Sequence, residues 1–63
     1  MYYIYTTDFE DNTVEYAKTA SYISVKDIYS SLLKRCLYGF PNIMIITVKK
    51  DSETISSFVN WRR

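Results

Sequence analysis

A single stretch in the middle of the chain repeats apolar residues at helical spacing. Val25, Ile28, Tyr29, Leu32, Leu33, Cys36 and Leu37 recur at i, i+3, i+4 and i+7. Lys26, Asp27, Ser30, Ser31, Lys34 and Arg35 take the opposite side. One amphipathic helix cannot bury its own stripe, so a second layer must be present. The flanking segments supply it, because they alternate at the period of strands. The helix start reads from Ser24-Val25-Lys26-Asp27, which has the capping-box spacing with Asp in place of Glu. Lys34 and Arg35 stand in the last turns, where the macrodipole favours cations. Gly39 is placed for a left-handed residue after the helix, and Pro41 stops any continuation.

Residues 2–7 are aromatic and β-branched, which favours strand. Residues 8–12, Asp-Phe-Glu-Asp-Asn, break that strand, since Asp and Asn fold back onto their own backbone. Residues 13–23 read as a second strand. Strict alternation sets Val14, Tyr16, Ala20 and Tyr22 on one face and Thr13, Glu15, Ala17, Thr19 and Ser21 on the other. The first two strands are expected to form a hairpin. Residues 43–49 form a third strand, with Ile43 and Ile45 on one face and Met44, Ile46 and Val48 on the other. Apolar residues on both faces mark it as central. A turn follows at residues 50–53. Residues 54–63 fit a strand, with Ile55, Ser57, Val59 and Trp61 on one face, or a helix capped by Asp51 or Ser52. Their β-branched and aromatic content favours the strand. The expected fold is α+β, a single domain over residues 1–63. It is a small antiparallel sheet with one helix packed across it, ordered ββαββ, with ββαβα as the alternative. No repeat, linker or low-complexity tract is visible.

Composition excludes most chemistry. The chain has 63 residues, no His, one Cys and one Gly. Without His, Cys36 lacks its usual activating base, and on the apolar stripe it reads as a core residue. A Gly-rich phosphate loop needs more than one Gly. No catalytic, cofactor-binding or metal-ligating residue is expected. The longest purely apolar run, residues 43–46, is far below the ~20 residues of a membrane span. The N-terminus has no basic region or small-residue cleavage site, and a lone Cys suits a reducing compartment, so a cytoplasmic location is expected.

Seven tyrosines dominate what remains. Tyr2, Tyr3 and Tyr5 place rings on both faces of the first strand, and both faces cannot be core. Tyrosine buries a large rigid area and keeps a polar tip, which suits interfaces. Tyr2, Tyr3, Tyr5 and Tyr38 are therefore the candidate anchors for a protein partner. Asp8, Glu10 and Asp11, in the expected turn, are candidate steering charges. A second set points elsewhere. Lys34, Arg35, Lys49, Lys50, Trp61, Arg62 and Arg63 could hold nucleic acid by phosphate contact and stacking. The net charge of +1 speaks against that reading. In so small a chain, burial barely offsets chain entropy, so a homodimer is expected, formed through a Tyr-bearing edge strand.

Phe, Tyr, Met, Ile, Asn and Lys, which have AT-rich codons, supply 27 residues, against 7 from Gly, Ala, Arg and Pro. That bias fits low-GC bacteria and their phages. Strand, acidic turn, Tyr-rich strand, capped helix and strand, over residues 1–50, resemble small phage-encoded inhibitors of host enzymes. Uracil-DNA glycosylase inhibitors, anti-CRISPR proteins and antitoxin-like inhibitors are the examples. The likeness is one of layout and size and carries no functional residue across. It implies a non-catalytic module that blocks the surface of a host defence or DNA-processing enzyme. A small nucleic-acid-binding regulator is the alternative, and an accessory subunit of a larger assembly is a third reading.

Overall fold

The strand β1 (Tyr2–Thr7) pairs antiparallel with β2 (Thr13–Thr19) as a hairpin. The helix α1 (Tyr22–Leu37) follows, then β3 (Ile45–Lys50) and β4 (Glu53–Val59). The protein is described by a computed structural model over residues 1–37 and 43–59, the side chains of residues 36 and 37 excepted. The four strands make one antiparallel sheet in the order β2-β1-β3-β4, so the fold is the expected ββαββ. β2 and β3 are both antiparallel to β1 and hence parallel to each other. A parallel pair needs a crossover rather than a tight turn, and α1 is that crossover. It carries the chain over one face of the sheet and leaves β1 in the middle.

The core forms where α1 meets that face. Ile4 from β1, Val25 and Leu32 from α1, and Ile46 and Val48 from β3 are buried. Tyr2, Ala17, Ile28, Tyr29, Leu33, Ile43 and Phe58 pack around them. The helical stripe read from the sequence is the buried one, as far as its side chains are described. No buried side-chain polar atom among the described residues lacks a hydrogen-bond partner.

The structure corrects several local expectations. The second strand ends at Thr19, and the helix begins at Tyr22 instead of after Ser24. Ser21 is the cap: its Oγ accepts from the Ser24 N–H at 3.4 Å. Its carbonyl accepts from the Val25 N–H at 3.1 Å. Tyr22 and Ile23 thus belong to the first helical turn. The expected strict alternation of β2 also fails. Ile4 pairs with Ala17 but Tyr5 pairs with Glu15, so Tyr16 is an extra, bulged residue. The bulge reverses the phase: Ala17 and Thr19 join Val14 on the helix side, by pairing with Ile4, Tyr2 and Thr6. The same device recurs in β4. Val48 pairs with Ser56 and Lys49 with Thr54, leaving Ile55 unpaired. Ile55 therefore does not share a face with Ser57 and Val59. It lines a groove of about 310 Å³ under the helix with Tyr22, Val25, Lys26, Tyr29, Val48 and Ser56. The helix stop at Gly39 and Pro41, and the face of Trp61, lie outside the described residues.

Candidate functional site: the helix-free face of the sheet

Successive strand residues point to opposite sides, so burying Ile4, Ile46 and Val48 under α1 turns Tyr3, Tyr5, Thr47 and Lys49 outward. No described element covers that second face. Its residues fall in three rows across the strands. Lys18, Tyr3, Lys49 and Thr54 form one row. Glu15, Tyr5, Thr47 and Ser57 form the next. Thr13, Thr7, Ile45 and Val59 form the third.

The two tyrosines dominate the surface. Their rings are stacked, with centroids 6.4 Å apart and an interplanar angle of 23°. Lys18 Nζ stands 6.0 Å from the Tyr3 centroid, and Lys49 Nζ 5.5 Å from that of Tyr5. Each ammonium lies within the reach of the ring quadrupole. Both tyrosines are half-buried on a face with no described element above it. Beside Tyr5 a shallow concavity of about 300 Å³ is lined by Tyr5, Thr7, Thr13, Thr47 and Lys49. The Thr7 and Thr13 hydroxyls share a hydrogen bond of 2.8 Å at its rim.

Charge is distributed unevenly along the strands. Lys18 and Lys49 mark one end of the face, where the β3–β4 turn also sets Asp51, in an ion pair with the N-terminal ammonium at 3.4 Å, and Glu53, opposite Lys50. Glu15 lies one row in from the other end, beyond which the β1–β2 loop adds Asp8, Glu10 and Asp11. That loop is built on Asp8. Its Oδ1 accepts from the backbone N–H of Glu10 at 2.8 Å and of Asn12 at 3.0 Å, and its Oδ2 from Asn12 Nδ2 at 3.4 Å. The Asn12 backbone N–H, chiefly, holds the Asp8 carboxyl below the usual aspartate value; desolvation opposes this, and the Glu10 N–H and Asn12 side chain assist. Asp11 completes the turn with a φ of 65°. The side chains of Glu10, Asp11 and Glu15 are exposed and make no hydrogen bond or ion pair among the described residues.

The described residues singled out from the sequence are divided among four places. Tyr3 and Tyr5 lie on the open face, with Lys49 from the basic set between them. Asp8, Glu10 and Asp11 lie together in the loop at its end. Tyr2 is on the helix side, packed against the core, with its ring 5.7 Å from that of Tyr22. Lys50 is on that side too, 5.9 Å from the Tyr2 centroid. Lys34 and Arg35 close the helix, and Arg35 reaches back to donate to the Tyr16 hydroxyl at 3.5 Å. The described basic candidates therefore do not form one patch. Tyr38, Trp61, Arg62 and Arg63 lie outside the described residues. Lys18 and Glu15 escaped the sequence reading as site residues. Regular alternation puts Lys18 with Val14 and Tyr16, and only the bulge brings it beside Tyr3.

Tyrosines stand both on an edge strand, as Tyr16 in β2, and on an interior one. β1, with three tyrosines, is interior and hydrogen-bonded on both sides. The edges are β2 and β4, and each carries a bulge, a device that discourages edge-to-edge pairing. Among the described residues no group of three or more His, Cys, Asp or Glu side chains is placed to hold a metal ion. No described helix is long and apolar enough to cross a membrane. Comparison with family models, curated proteins and solved structures returned no match to this chain.

Proposed function

We propose that this chain is a small non-catalytic protein-binding module that works by covering part of another protein's surface with the helix-free face of its sheet. The observation that carries the reading is the stacked pair Tyr3 and Tyr5, set on an interior strand with no described element above it. Rigid aromatic rings ringed by lysines and hydroxyls have the make-up of an interface core with a polar rim. Steric block is the mode of action we attach to it, with a host defence or DNA-processing enzyme as the target class if the gene is phage-borne. A photo-crosslinking residue in place of Thr47, at the centre of the face, tests the reading in producing cells. We expect it to trap protein after nuclease treatment, while the same residue at Ser30, on the outer side of α1, traps none. Equal trapping at both positions overturns the proposal.

A second reading is favoured by one observation, the two ammonium groups beside the rings. Cations flanking stacked aromatics suit single-stranded nucleic acid. It requires affinity for an oligonucleotide that falls steeply with salt and is lost in Lys18→Ala/Lys49→Ala.

A further inference from the structure

The face is polar along the strand direction, and that polarity specifies a partner. A nucleic acid is uniformly anionic and would meet Glu15 and the Asp8–Glu10–Asp11 loop at one end. A partner complementary to the β2 side of this face must present acid over Lys18 and base over Glu15. The chain itself carries both on one surface, in inverted order. We infer that the protein seated on the face is a second copy of this chain, packed sheet against sheet with its strands antiparallel. This rests on the reading of the face given above and names its occupant.

Symmetry makes the arrangement specific. A closed dimer is isologous, so the face must be complementary to itself about a two-fold axis. Sheets stacked with roughly aligned strands allow two choices. An axis along the strands sets like ends together, acid on acid. An axis across the strands inverts one copy and sets acid over base. In the second case the axis has one favourable row position. Passing between the rows of Tyr3 and Tyr5, it places Tyr3 over the partner's Tyr5 and Lys18 over the partner's Glu15, each twice. Passing through the Tyr5 row, it places Glu15 over the partner's Glu15, which is repulsive. The bulge at Tyr16 is what sets Glu15 and Lys18 on the same face in neighbouring rows. Bulges on both edges turn association away from the edges and toward the face.

Four strands about 4.8 Å apart and about six residues long make a face of roughly 20 by 20 Å. Two such faces bury about 1,000 Å² in all, below the size of a stable complex. The dimer is thus weak, concentration-dependent and sensitive to salt. Any other protein that takes the face does so in competition with the chain itself.

Sedimentation equilibrium of the purified chain up to about 1 mM at low salt tests this, since interfaces of this size dissociate near that range. We expect reversible dimers, lost in Tyr3→Ser/Tyr5→Ser. Lys18→Glu and Glu15→Lys each put like charges opposite one another twice, which should weaken the dimer about tenfold. Mixed in equal amounts, those two variants restore both pairs and should form a heterodimer at least as tight as the parent. Circular dichroism of each variant separates lost association from lost fold. The inference is overturned by a parent that stays monomeric, by single variants that dimerise as the parent does, or by a mixture that fails to recover. A monomeric parent whose Thr47 crosslinks still trap another protein overturns the second copy and leaves the binding module standing. A monomeric parent that binds an oligonucleotide with a steep salt dependence overturns both in favour of the nucleic-acid reading.

Discussion

Tyr16 and Ile55 show how much one residue can move. Each is a single unpaired residue in an edge strand, and each reverses the facing of the residues beyond it. Two loop residues are equally exacting in another way. Asp11 and Asp51 have positive φ, 65° and 56°, in the left-handed region that costs most side chains about 1–2 kcal/mol. Asp11 makes no side-chain hydrogen bond among the described residues, so its substitutions report backbone strain alone. Asp11→Val should destabilise by about 1–2 kcal/mol, whereas Asp11→Gly should stay within about 0.5 kcal/mol, because glycine's relief of strain offsets its greater unfolded freedom. Urea titration of both variants checks the contrast. Asp8 carries a pH signature. Its folded pKa lies below the unfolded value, so its contribution is present above the unfolded pKa and is lost as pH falls through the folded one. Asp8→Ala should therefore lower the melting temperature at neutral pH and reduce the further loss seen on acidification below the ordinary aspartate pKa. An unchanged acid slope would assign the loop's order to other groups.

At the scale of elements, α1 and β1 behave differently with respect to the sequence. The stripe of α1 was legible because apolar residues at helical spacing have one sensible use. Its start was not, because Ser21 and Ser24 are both adequate caps and Tyr22 and Ile23 also suit a strand. What decides is position: Ser21 Oγ is the one that accepts from a first-turn N–H. Ser21→Ala should cost about 1 kcal/mol, as loss of an N-cap does, and Ser24→Ala distinctly less. Thermal melts of the two variants distinguish them. For β1, the period of two placed Tyr2 opposite to Tyr3 and Tyr5, but not which side met the helix. That follows from Ile4, which is buried with Leu32 and Val48 and carries Tyr2 to the helix side.

For the whole molecule, the buried core is Ile4, Val25, Leu32, Ile46 and Val48 among the described residues. A core so small leaves little margin. Leu32→Ala should cost about 2–5 kcal/mol and leave the chain largely unfolded at room temperature. Tyr3→Ser/Tyr5→Ser should leave its circular dichroism nearly that of the parent, since these rings lie across the sheet from the core. Should it unfold as Leu32→Ala does, the open face is structural and the proposed site falls with it. The separation of charge along the strands is likewise a property of the whole. Asp8, Glu10 and Asp11 are neighbours in the chain and were visible as a cluster. Lys18 and Lys49 are far apart in sequence and share one row only because β1 lies between β2 and β3.

By itself the amino-acid sequence determined the first four elements and their order, and favoured a strand for the last. Helical and strand periodicities are local, and Asp8-Phe9-Glu10-Asp11-Asn12 breaks the chain by side-chain hydrogen bonds that reach only a few residues. It also bounded the chemistry, by lacking His and holding one Cys. Tertiary structure alone decided the strand order, the side on which the helix lies, and the residues that share the open face. Those depend on pairings between distant segments and on two bulges. A bulge leaves no mark in the local pattern, because the extra residue is defined only by the strand opposite it.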